Sequence, residues 1–127
     1  MDSAALRQHV RDLDLRRRQL IEDALRPLPM VLGYLFQMRR RCGRPGCRCA
    51  KGKLHISWYL SRRREGKTAL SHLGQIVPEW LAPRVERYRE VQQSLAAIRK
   101  IDREISGLLN RIRDHQLKSL EQERERR

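Results

Sequence analysis

The chain has 127 residues and a net charge of +14, with no apolar run near the roughly 18 residues of a membrane span, so it reads as one soluble domain. Hydrophobic residues make up 39% but aromatics only 5%, so the core must be built from Leu, Ile and Val on amphipathic elements, leaving little room for a large catalytic cleft. The charge is uneven: between Leu28 and Pro78 eleven Lys/Arg stand against one acid, Glu65, whereas the other residues hold eighteen against fourteen.

Residues 3–26 predict a helix with Ser3 as N-cap, because Leu6, Val10, Leu13, Leu20 and Ala24 fall on one stripe at steps of three and four. Before it, Met1-Asp2-Ser3 has an acid where a secretory leader carries cations, and no apolar stretch follows, which predicts a cytoplasmic protein. Pro27 and Pro29 stop the helix, and the dense apolar run Met30–Met38, with Val31, Tyr34 and Phe36, predicts a first strand.

That strand runs into Cys42-Gly43-Arg44-Pro45-Gly46-Cys47-Arg48-Cys49, which holds all three cysteines of the protein; His55 follows six residues later. Gly and Pro bend the backbone between the thiols, and the C-x4-C-x-C-x5-H spacing predicts a zinc ion held by Cys42, Cys47, Cys49 and His55. The alternatives are a Cys42–Cys47 disulfide, which an oxidising compartment would be needed to sustain, or three unligated thiols. His72 is the fallback fourth ligand, while His9 and His115 sit in helical patterns and read as solvated.

Ile56, Trp58 and Leu60 alternate with Ser57, Tyr59 and Ser61, predicting a second strand with one apolar face. Arg64-Glu65-Gly66-Lys67 predicts a tight hairpin and Thr68–Leu73 a third strand, which completes an antiparallel sheet within a basic module over 30–75. Gly66-Lys67-Thr68 is not a phosphate-binding loop, because Ser61 stands where that motif needs Gly and no helix follows. From Pro78 a long helix is expected over 78–121, with residues 122–127 as a frayed tail.

The long helix carries a seam of Tyr88, Val91, Leu95, Ile98, Ile105, Leu109 and Ile112, widened by Ile101 and Leu108. A shorter antiparallel first helix cannot cover all of it, which predicts a homodimer through a coiled-coil stalk using Leu95, Ile98, Ile101, Ile105, Leu108, Leu109 and Ile112. Arg17 interrupts the first stripe as Asp102 interrupts the second, so the two are candidates to pair, within one chain or between two. The expected fold is α+β: an N-terminal helix, a three-stranded antiparallel sheet with a zinc-binding turn, and a long C-terminal helix forming a helical hairpin.

The middle of the chain resembles a family of small bacterial and archaeal proteins built on a domain of unknown function. The residues that carry the likeness are Cys42–Ala50, His55, Tyr59-Leu60-Ser61-Arg62, Gly66-Lys67-Thr68, Pro78 and Tyr88. They match a Cys-Gly-(Lys/Arg)-Pro-Gly-Cys-x-Cys-Ala turn, a His, a Leu-Ser-Arg strand, a Gly-Lys-Thr hairpin and a Pro-led helix over residues 39–90. Ile56-Ser57 departs from the family's usual Gly-Pro after the His. The resemblance implies a CCCH metal centre, no established activity, and company with mobile elements, hence a recombinase or transposase as a partner.

No nucleophile–base pair is spaced for catalysis, and a zinc with four protein ligands is closed, so the chain is not expected to be an enzyme. A concentrated cationic block points instead to a polyanion. The expected function is zinc-stabilised nucleic-acid binding, to DNA before RNA, and so a nucleoid-associated protein. Arg39, Arg40, Arg41, Arg44, Arg48, Lys51, Lys53, Arg62, Arg63, Arg64 and Lys67 would meet phosphates, and Tyr59 a base or sugar. The alternative is a coiled-coil adaptor whose basic sheet only maintains solubility.

Overall fold

Asp2, rather than Ser3, is the cap of the first helix: its carboxylate accepts the Ala5 N–H at 2.7 Å. A computed structural model describes residues 2–127, with the backbone alone at Ala50. Its order is helix α1 (Ser3–Ala24), strand β1 (Tyr34–Arg40), a single 3-10 turn (Arg48–Lys51), strands β2 (His55–Arg64) and β3 (Lys67–Gly74), and helices α2 (Leu81–Gln116) and α3 (Leu120–Arg126). The single domain expected from length divides into two compact units, Met1–Arg26 with Val91–Arg127, and Pro27–Glu90.

The first unit is an antiparallel helical pair. Leu6, fully buried, packs with Leu108 and Ile112, with Val10 and Leu13 against them, while Arg17 meets Asp102 at 2.7 Å, so rising numbers on α1 meet falling numbers on α2. The two residues that interrupt the stripes therefore pair within one chain. With side chains 37% and 50% exposed they add no more than about 1 kcal/mol, and their contribution is mainly to register. At 1.5 Å per residue, α1 is about 33 Å long and α2 about 54 Å.

The helix expected over 78–121 is shorter at both ends. Glu79 and Trp80 form a turn closed by the Leu81 N–H on the Pro78 carbonyl, which places Pro83 in the first turn of α2, where a missing N–H is tolerated. At the other end Ser119 and Gln122 satisfy each other's backbone N–H in a capping box. That box starts a new helix, α3, where a continuation of α2 and then a frayed tail were expected.

In the second unit the strands lie in the order β1-β2-β3, all antiparallel, with Leu35 opposite Leu60 and Leu60 opposite Ser71. Leu60, Leu81 and Val85 form the core, with Val31, Leu35, Leu73 and Val77 packed on it. The first strand begins four residues later than the apolar run suggested, because the Val31 N–H is taken by the Arg84 carbonyl of α2 at 3.0 Å. Glu65 and Gly66 form a two-residue hairpin with φ of 54° and 76°, the positive pair that matches the twist of the flanking strands.

Gly33 enters β1 with φ of 144°, and a Cβ there would lie 2.6 Å from Leu60 Cδ1 and 2.9 Å from the Ser61 carbonyl oxygen. A methyl group has no room against a backbone carbonyl, so Gly33→Ala should destabilise the unit by about 1–3 kcal/mol. A denaturant midpoint equal to that of wild type would show that the chain does not pass so close to β2.

Candidate metal centre and cationic sheet

The cysteine segment is the connection between β1 and β2, and the sheet register sets where its ends meet. Arg40 is the last residue of β1 and stands opposite His55, the first of β2, so Cys42 leaves the sheet beside the imidazole. Between them, the Cys47 N–H donates to the Arg44 carbonyl at 3.3 Å across Pro45-Gly46. Pro presets the first corner and Gly46, at φ 80°, supplies the positive second corner of a type II turn. The 3-10 turn then brings Cys49 inward, where it is almost fully buried, and Gly52 reverses the chain toward β2.

The result is a Cys3His cluster whose four ligand atoms all lie within 4.8 Å of one another. Cys42 Sγ is 3.4 Å from Cys49 Sγ, and Cys47 Sγ is 3.1 Å from His55 Nε2. The edges of a tetrahedron with ligand bonds of 2.0–2.3 Å are about 3.5–3.8 Å, so the pairs at 3.4 and 3.1 Å lie within a few tenths of an ångström of that geometry, and the wider separations, up to 4.8 Å, need close by about 1 Å or less for the donors to share an ion such as zinc. A disulfide needs sulfurs about 2.05 Å apart, and all three cysteines are free. The Cys42 N–H donates to Cys49 Sγ at 3.3 Å, the kind of contact that holds a thiolate in place.

The Cys47 thiol is pulled below its usual range, chiefly by the Cys49 backbone N–H donating to its sulfur, against an opposing contact from Cys42 and with further help from His55. That favours the thiolate, the form a metal takes. His72, the fallback ligand, is elsewhere: it packs edge-on against Tyr59 with ring centroids 5.1 Å apart.

All eleven cations of the middle segment are exposed. Arg48, Lys51 and Lys53 line one concavity beside the cysteines. Directly opposed residues of an antiparallel pair share a face, so the register sorts the cations on the strands. Arg39, Arg62, Arg64 and Lys67 fall on the face of Leu60, and Arg40 and Arg63 on the other. Ion pairs among the described residues lie on or beside the helices, as in Arg18–Asp14 and Arg89–Glu86.

The same parity collects residues that alternation alone did not single out. Tyr34, Phe36 and His72 join Tyr59 on the face opposite Leu60. Tyr34 and Phe36 stack at 5.9 Å, Phe36 and Tyr59 at 5.8 Å, and the Arg40 guanidinium lies 5.7 Å from the Tyr59 ring centre. Tyr34 and Phe36 read in the sequence as two members of an apolar run, and only the pairing with β2 shows which side they take.

Of the residues expected to mediate dimerisation, Ile101, Leu108 and Ile112 are buried within the single chain, Ile98 and Ile105 are half-buried, and Leu95 and Leu109 are 40% and 50% exposed. No helix among the described residues is long and apolar enough to cross a membrane.

Comparison with known proteins finds no match among curated proteins or solved structures. A family profile, that of a domain of unknown function, DUF6788, matches residues 11–83, a span that includes most of α1, the cysteine turn, the whole sheet and the start of α2. With more than half of its length matched, and with the cysteine turn and hairpin inside the match, the chain belongs to the DUF6788 family.

Proposed function

We propose that this chain is a zinc-stabilised nucleic-acid-binding protein, acting on DNA before RNA and without enzymatic activity. The observation that supports it is the set of eleven exposed Lys/Arg between Leu28 and Pro78, a segment with a single acid, arranged on and around the Cys3His cluster. Cations left without acidic partners are free to replace the counterions of a phosphate backbone. A metal with four protein ligands has no open position, which suits a structural role in fixing that surface. Filter binding at about 100 mM salt with duplex DNA, single strands and structured RNA tests the reading. Association with at least one is expected, and binding to none would transfer the function to the helices as an adaptor.

Self-association belongs to the same proposal in a narrower form than the whole stripe suggested. Ile112 already packs with Leu6, so a charge there would test folding of the chain itself. Leu95 and Leu109 remain exposed, together with Leu15 at 57%. In light scattering at micromolar concentration the protein should be a dimer, and Leu95→Glu with Leu109→Glu should give a folded monomer, because the charges would be buried only in the dimer. A wild-type monomer would remove the stalk as an interface.

A further inference from the structure

The sheet of the second unit has two faces with different roles. One carries Leu60 and Leu35 into the core with Leu81 and Val85. The other presents Tyr34, Phe36, Tyr59 and His72 as a continuous row of rings across all three strands, with steps of 5.9, 5.8 and 5.1 Å. Half of the protein's six aromatic residues, and one of its four histidines, are spent on this row. Tyr34 is 68% exposed and Leu70, on the same face, 52%. Covering apolar surface that now meets water gains about 25 cal/mol per Å2, so a row of rings held there offers binding energy to an occupant that covers it.

Charge selects the occupant. Arg40 lies over Tyr59, Arg63 shares the face, and the only acid of the segment, Glu65, sits in the hairpin turn beyond it. A cationic aromatic surface complements a ligand with flat π-faces joined by a polyanionic backbone. In a duplex the π-faces of the bases are covered by their neighbours, and only unpaired bases can lie on side-chain rings.

We infer that this face, formed by Tyr34, Phe36, Tyr59 and His72 with Arg40 and Arg63 beside them, is a stacking platform for the unpaired bases of a single-stranded nucleic acid, an inference that rests on the nucleic-acid reading above. The rings bind bases without regard to sequence and the arginines follow the backbone. Tyr34, at the start of the edge strand, is the outermost ring of the row.

Fluorescence anisotropy with labelled dT and rU oligomers of roughly fifteen nucleotides, and with a DNA duplex of the same length, tests this on the full zinc-loaded chain. The single strands should bind more tightly than the duplex. Tyr59→Ala and Tyr34→Ala should each weaken single-strand binding by about 5- to 150-fold, the loss of one stacked base, and leave the salt dependence unchanged. Tyr59→Phe should retain wild-type affinity because the ring remains. Tyr34 is exposed, so its truncation leaves the fold intact and isolates the stacking contribution. Salt-dependent binding that neither alanine variant weakens, or a duplex bound as tightly as the single strands, would overturn the platform while the nucleic-acid function stands. Absence of binding to every oligomer would overturn both.

Discussion

Removal of the metal should unfold the Pro27–Glu90 unit while the helical pair of α1 and residues 91–116 keeps its structure. The segment between β1 and β2 is held by few bonds of its own, among them Cys47 N–H to Arg44, Gly52 N–H to Cys49 and Lys53 N–H to Arg48, each at 3.3 Å. It carries five cations, Arg41, Arg44, Arg48, Lys51 and Lys53, next to Arg39 and Arg40 at the end of β1, and their mutual repulsion opposes a tight turn. A zinc with three thiolates and one imidazole has a formal charge of −1 and counters that repulsion at its centre. Among the described residues the unit's core cluster has Leu60, Leu81 and Val85 as its buried members, with Val31, Leu35, Leu73 and Val77 half-covered around them, a small core for a unit of this size.

Structural zinc in small domains contributes about 10–16 kcal/mol of apparent free energy at neutral pH, more than such a core supplies. Elemental analysis should therefore give about one zinc per chain, the number a single four-ligand cluster can hold. A chelator should shift the fluorescence of Trp58, which lies in β2, while helical circular dichroism falls much less. Cys49→Ser, at the most buried ligand, should reproduce the loss. Lowering the pH should release the ion, because protons compete for the sulfurs and the imidazole. A folded sheet with reduced thiols and no bound metal would refute the assignment.

Nucleic-acid affinity should fall by about a thousandfold or more between 50 and 200 mM salt if six or more of the eleven cations meet phosphates. Substituting Arg62 and Arg63 together should reduce the log–log slope by about 0.9 unit for each phosphate left unneutralised on duplex DNA and by about 0.7 on a single strand. These two arginines are adjacent in β2 and so project to opposite faces of the sheet, which makes the single variants more informative than the pair. For a strand lying on the aromatic face, Arg63→Ala should change the slope and Arg62→Ala should have little effect. Charge reversal at Arg111 and Arg113, exposed on the far part of α2, should matter much less than either. An equal weakening by the helix variants would place the binding surface on the helices.

What the sequence determined by itself was local in origin. The Cys-Gly-Arg-Pro-Gly-Cys-Arg-Cys segment specifies its own turns, since Pro45 and Gly46 admit few other backbone states, and the thiols are too close in the chain to scatter far. The Glu65-Gly66 hairpin, the antiparallel sheet and the helix-forming stripes were legible for the same reason, because each is written in steps of two, three or four residues. The match of Arg17 to Asp102 could be read as a candidate because each breaks an otherwise apolar stripe.

Features that depend on residues far apart in the chain were decided only by the tertiary structure. The Val31 N–H found its acceptor on Arg84, more than fifty residues away, and this delayed β1 to Tyr34. His55 rather than His72 joined the thiols because the β1–β2 register puts it opposite Arg40, while the β2–β3 register gives His72 to Tyr59. The division of the long apolar stripe into a part covered by α1 and a part left exposed at Leu95 and Leu109 depended on how two helices meet. The aromatic row was hidden for the same physical reason: a strand's side chains alternate by period, but which strand lies opposite, and at what register, is settled by packing across the sheet.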